Sequence, residues 1–188
     1  MIAVDVNPAV RSSMTGTEVY ARQLARLLPE AAPELEWTFY ASRPRAEVGV
    51  DLTVLPMPRL WAQIRLPVEL LRARPRLLFT PSHVVPFASP VPALTVVHDL
   101  AFERFPEAYS PADLNYLRLT TRWAERRCPL LIAVSESTRG DLVRLHGVNA
   151  SRVRVVYSGG GEENSLPLAG RAQSPNHSGR GSLPRVAA

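Results

Sequence analysis

Short apolar runs recur along this chain, separated by stretches with helical spacing. Residues 2–6 (IAVDV), 36–41 (EWTFYA), 51–55 (DLTVL), 76–80 (RLLFT), 93–97 (ALTVV), 130–134 (LLIAV) and 152–157 (RVRVVY) are rich in β-branched and aromatic side chains. Runs of that length and kind predict strands buried in a parallel sheet. The intervening segments carry helix signals. Thr15-Gly16-Thr17-Glu18 fits a capping box, and Val19, Tyr20, Leu24, Leu27 and Leu28 follow at helical spacing until Pro29 and Pro33. Ser110-Pro111-Ala112-Asp113 opens a helix to about Arg127, with Leu114, Leu117, Thr121, Ala124 and Cys128 on one face. Ser135 caps a shorter helix over 136–146 that closes at Gly147. The βαβ alternation predicts an α/β fold: a doubly wound, Rossmann-like parallel sheet.

Residues 60–73 need separate mention. Leu60, Ile64, Val68 and Leu71 share one face of an amphipathic helix that Pro67 should kink. With Trp61 the segment could lie on a membrane surface; the expectation is a helix packed on the sheet through that face. Loop 100–110 holds Phe102, Phe105, Pro106 and Tyr109 and is expected to be packed. After Tyr157 the pattern stops. Residues 159–188 carry Gly, Ser, Pro and Arg without period, and the expectation is a disordered tail behind a domain over 1–158.

Composition narrows the chemistry. At 188 residues, 46% hydrophobic and 21% charged, the chain reads as one soluble domain, with a cytoplasmic location as the default. Its net charge of +5 comes with 22 basic residues that are all arginine. The absence of lysine excludes a P-loop lysine and a Schiff base. Dispersed arginines without a dense run argue against nucleic acid as a partner. No D-x-D, H-E-x-x-H, clustered Cys/His or G-x-S-x-G occurs, so no metal site and no nucleophile elbow are expected. Cys128 has no partner for a disulfide and reads as a packing residue.

The candidate chemistry collects at strand ends. His98 and Asp99 end the 93–97 run, Pro81-Ser82-His83 ends the run before it, Ser135-Glu136 follows 130–134, and the Gly16 loop follows the first strand. In open α/β sheets ligands bind beyond the carboxyl ends of the strands. A lone glycine before a helix is equally well explained by a tight turn, and a strand-end histidine is often structural. No G-x-G-x-x-G is present, which weakens a free-standing nucleotide binder.

The order of these motifs resembles the N-terminal domain of GT-B glycosyltransferases of family 4, over about 2–159. The similarity rests on Thr15-Gly16-Thr17-Glu18-Val19-Tyr20, Trp61 with Leu66-Pro67, Pro81-Ser82-His83, Thr95-Val96-Val97-His98-Asp99-Leu100, the run Val134 to Leu142, and Val153 to Gly159. That resemblance implies retaining, metal-independent transfer from a nucleotide sugar, hexosyl- or mannosyltransferase-like, to a sugar or lipid-linked acceptor. It implies no further cofactor, and a peripheral membrane contact stays open. His98 would be catalytic, facing the transferred sugar. Gly16 would let the first helix approach the donor diphosphate, and Ser135 and Arg139 would border the cleft. Thr15, Thr17, His83 and Asp99 complete the substrate-binding set.

One departure from that family stands out. Its donor-binding half carries an E-x7-E signature, and no pair of glutamates here has that spacing. The expectation is therefore a truncated or frameshifted enzyme, inactive alone. The alternative is a non-catalytic subunit that pairs with a separately encoded donor-binding domain.

Overall fold

The seven apolar runs do form strands: β1 (Ile2–Asp5), β2 (Trp37–Ala41), β3 (Leu52–Val54), β4 (Leu78–Thr80), β5 (Ala93–Val97), β6 (Leu131–Ala133) and β7 (Val153–Val155). In this computed structural model residues 1–11 and 16–159 are described. All seven strands are parallel, in the order β3-β2-β1-β4-β5-β6-β7. The chain winds one way from β1 to β3 and the other way from β4 to β7. The β1/β4 boundary is thus the topological switch point, where open α/β sheets form their ligand crevice.

Strict alternation puts a core on each face of the sheet. Val4, Phe39, Phe79 and Val96 face α1 (Gly16–Ala31), meeting Ala21 and Ala25. Their sequence neighbours Ala3, Tyr40, Leu78 and Val97 join Leu66 and Leu70 of α2 (Leu66–Ala73) on the other face. Ala124 of α4 (Pro111–Arg127) and Leu142 of α5 (Glu136–His146) belong to that second core, as does Phe102 of the short α3 (Ala101–Arg104). Each fully buried leucine contributes roughly 2 kcal/mol of transfer free energy.

The caps behave as their residue types require. Ser110 Oγ accepts from the Asp113 N–H and Ser135 Oγ from the Thr138 N–H, while Gly147 adopts the left-handed conformation that ends α5. Cys128 is buried just past the end of α4, where burial pushes its thiol up to about 12. It is a packing residue.

Two expectations need correction. Helix α1 seats only part of its expected stripe: Ala21 and Ala25 are fully buried, Tyr20, Leu24 and Leu28 pack beside them partly buried, and Leu27 is exposed. Nor does the 60–73 segment pack through Leu60, Ile64, Val68 and Leu71. A π-turn over Trp61–Arg65 precedes α2 and shifts the helical register, so Trp61, Leu66, Pro67 and Leu70 face inward. Trp61 is anchored by its indole N–H, which donates to the Leu55 carbonyl at 2.8 Å. The expected packing face is left outside, with Leu60 64%, Ile64 48% and Leu71 60% exposed.

The capping role expected of Thr15, and all of the tail expected over 159–188 except Gly159, lie outside the described residues. Among those described, no helix is long and apolar enough to cross a membrane.

Candidate functional site

His98 stands at the carboxyl end of β5, one strand from the switch point. Its imidazole is held from two sides. Nε2 lies 2.8 Å from the carbonyl oxygen of Pro81, in the loop after β4. A carbonyl only accepts, so Nε2 carries the proton, and in the neutral ring Nδ1 keeps the lone pair. The edge of the Tyr20 ring meets it at 90°, with centroids 5.0 Å apart. Tyr20 lies in the second turn of α1, so the end of β5 and the beginning of α1 share one rim.

The loop that supplies the Pro81 carbonyl is itself fixed. Thr80 and Thr95 are register partners on β4 and β5, both fully buried. Thr95 donates to the Ser82 carbonyl at 2.6 Å and accepts from the Thr80 hydroxyl at 2.8 Å. Apolar strands rarely bury two hydroxyls without satisfying them, and here both bonds fold the loop back over the strand ends. On the far side, Thr138 in the first turn of α5 donates to the carbonyl of His98 at 2.9 Å. Backbone and ring of His98 are therefore both tied to neighbouring elements.

The other expected residues divide into two groups. His83 is close enough to His98 and Asp99 to feel both: burial and the neighbouring His98 push its imidazole below its ordinary value, while Asp99 opposes them. Asp99 itself is exposed and its Oδ1 accepts from the Ala101 N–H at 2.9 Å, which starts α3. Ser135 spends its hydroxyl on the α5 cap, and Arg139 pairs with Glu136 at 3.3 Å. Gly16 and Thr17 open α1 on the same rim as Tyr20. A Cβ on Gly16 would meet nothing within 4 Å, so no close packing in this chain demands a glycine there.

Beside this cluster lies a cavity of about 280 Å³, lined by Asp5, Arg11, Leu60, Gln63, Ser82 and Tyr116 among others. It adjoins the carboxyl ends of β1 and β4, the two strands of the switch point. Asp5 is buried, and burial raises its carboxyl to about 7, against the pull of the Asn7 N–H and the charge of Arg11. Gln63 accepts from the Phe87 N–H at 2.8 Å through Oε1, and its buried Nε2 has no partner in the described protein. A protonatable carboxyl and an arginine around one hollow are groups that can bind hydroxyls.

Sequence reasoning missed Asp5, Tyr20, Gln63 and Thr138. The signal for Asp5 was present, since it ends β1 as His98 ends β5. Gln63 and Tyr20 depend on contacts between distant segments, which no local pattern encodes.

Residues 14–159 match the family model described as Glycosyltransferase Family 4. The chain belongs to glycosyltransferase family 4. No curated protein matches the chain in sequence. The matched span begins two residues before α1 and ends with the last described residue, so in this family 4 domain α1, the His98 rim and α5 fall within one match.

Proposed function

We propose that residues 1–158 form the acceptor-side lobe of a retaining, metal-independent glycosyltransferase that takes a nucleotide sugar as donor. The observation that carries this is the held imidazole of His98 at the switch-point rim, next to a cavity with hydroxyl-binding groups. With Nε2–H committed to Pro81, Nδ1 accepts a hydrogen bond from a hydroxyl of the transferred sugar and fixes its orientation at the rim. Ser135, Arg139, Gly16 and Thr17 border the cleft, with His83 and Asp99 flanking His98. The acceptor occupies the cavity at Asp5 and Gln63. Charge developing on the departing phosphate is stabilised by groups of a donor-binding domain, whose E-x7-E signature does not occur in these 188 residues. No D-x-D is present to bridge a metal to the diphosphate, which supports the metal-independent class. We place the enzyme in the cytoplasm, and the chain by itself does not transfer.

The test is transfer from nucleotide sugars by the 188-residue chain alone and after supplying a family 4 donor-binding domain, fused or in trans. Product only in the supplemented reaction, lost with His98→Ala, is expected. Product from the unsupplemented chain overturns the division of labour, and failure of every supplemented reaction overturns the transferase reading.

A further inference from the structure

A second hollow, of about 340 Å³, lies between the carboxyl-terminal half of α4, the end of α5 and Arg152, just before β7. Helix α4 leads into β6 and α5 into β7, so these residues gather at the amino ends of the strands. His98 and Ser135 follow the carboxyl ends, so the hollow is remote from the rim already described. Its volume falls in the range that takes a small organic ligand.

The wall carries more positive charge than the fold uses. Arg122 and Arg126 lie four residues apart on α4, on one side of the helix, where like charges repel. Both are exposed, and among the described residues neither meets an acidic partner. Their neighbours are committed: Arg118 pairs with Glu103 at 2.9 Å, and Arg127 donates to the Ser89 carbonyl at 3.2 Å. Glu125, the carboxylate in the same wall, is taken by His146, whose Nδ1 bonds to it. Arg152 enters the wall from a different element. Its Nη2 donates to the carbonyls of Glu125 and Cys128, which satisfies the end of α4 and fixes the guanidinium in place. Its Nη1 has no protein acceptor among the described residues. The helix dipole accounts for cations in the last turn of α4, but it fades within that turn and does not account for Arg122.

The ligand chemistry follows from the guanidinium groups. An arginine fork matches an oxyanion, and a tetrahedral phosphoryl group offers oxygens to several forks at once, more than a single carboxylate can. Half-exposed Leu145 and buried Val148 give the hollow an apolar side for a carbon skeleton.

We propose that this hollow binds the phosphoryl group of a small soluble phosphomonoester, with Arg122, Arg126 and Arg152 as its ligands. The site does not rest on the transferase reading.

The test is isothermal titration of the full 188-residue chain with glycerol phosphate at constant ionic strength. Saturable binding with a dissociation constant below about 1 mM is expected, and acetate should give none. Arg122→Gln with Arg126→Gln, both exposed, should weaken binding at least about tenfold and leave the melting temperature of the ligand-free chain unchanged. Arg139→Gln, at the opposite end of the strands, should bind as the parent does. Absence of saturable binding overturns the proposal, as does parental affinity in the double variant or equal affinity for acetate. Loss of binding with Arg139→Gln also overturns it, because the phosphate then sits at the His98 rim. Tighter binding to phosphatidic acid vesicles than to glycerol phosphate overturns the soluble source, since the phosphoryl group then belongs to a lipid.

Discussion

The Nε2–H of His98 donates to the carbonyl of Pro81 across 2.8 Å, joining the end of β5 to the loop after β4. That bond selects the tautomer and leaves Nδ1 as the chemically useful nitrogen. His98→Ala removes this bond and the edge contact with Tyr20, a loss of about 1–2 kcal/mol in stability. The same substitution should lower transfer by the supplemented enzyme at least about a hundredfold. Steady-state kinetics and thermal melts on the same preparation check both. A variant that melts lower yet turns over normally would make His98 a structural strut.

Asp5 makes stability depend on pH. Its carboxyl titrates near 7 in the folded chain because it is buried, and at 3.8 in its ordinary state. Between those values the folded chain holds a proton that the unfolded chain has released, so stability falls as pH rises through that window and levels off above it. The full penalty is at most about 4 kcal/mol, at about 1.4 kcal/mol per pH unit. Asp5→Asn should therefore stabilise the protein at about pH 8 and change little at about pH 4, as urea titrations at the two pH values would show. A gain independent of pH would mean that the carboxyl is not the cause.

Both of these residues end strands, and that placement explains what could be read beforehand. Alternating apolar runs locate strands because the pleat sends Val4 and Ala3 to opposite cores, and His98 then marks the rim simply by following Val97. Caps such as Ser110 and Ser135 were legible because their bonds close within three residues. The orientation of the 60–73 segment was not legible. It has apolar residues on two sides, and only the π-turn and the Trp61–Leu55 bond decide which one faces the core. The tie from Thr138 to His98 spans forty residues, and nothing in the local pattern at Thr138 distinguishes it from any first-turn threonine.

His146 joins three helices. Its Nδ1 bonds to Glu125 of α4, and its Nε2 lies 3.3 Å from Glu103 of α3. The bond to Glu125, with both carboxylates nearby, raises the imidazole above its ordinary value despite burial. A raised histidine contributes stability that is complete below the unfolded value and is lost as pH rises through the folded one. His146→Gln should cost roughly 3 kcal/mol under mildly acidic conditions and much less in alkali. Chemical denaturation at the two extremes checks the sign, and an equal cost at both would show that packing, rather than charge, is what His146 supplies.

Arg74 carries backbone strain at the end of α2. It ends α2 in the left-handed region (φ 47°), with its N–H donating to the Leu70 carbonyl at 2.9 Å. A side chain there costs about 1 kcal/mol that glycine would not. Arg74→Gly should therefore raise the melting temperature by about 2–4 °C in a domain of this size. Calorimetry on the variant and the parent checks the gain. If Arg74→Gly is destabilised instead, the guanidinium holds a contact within the fold that outweighs the strain of its backbone.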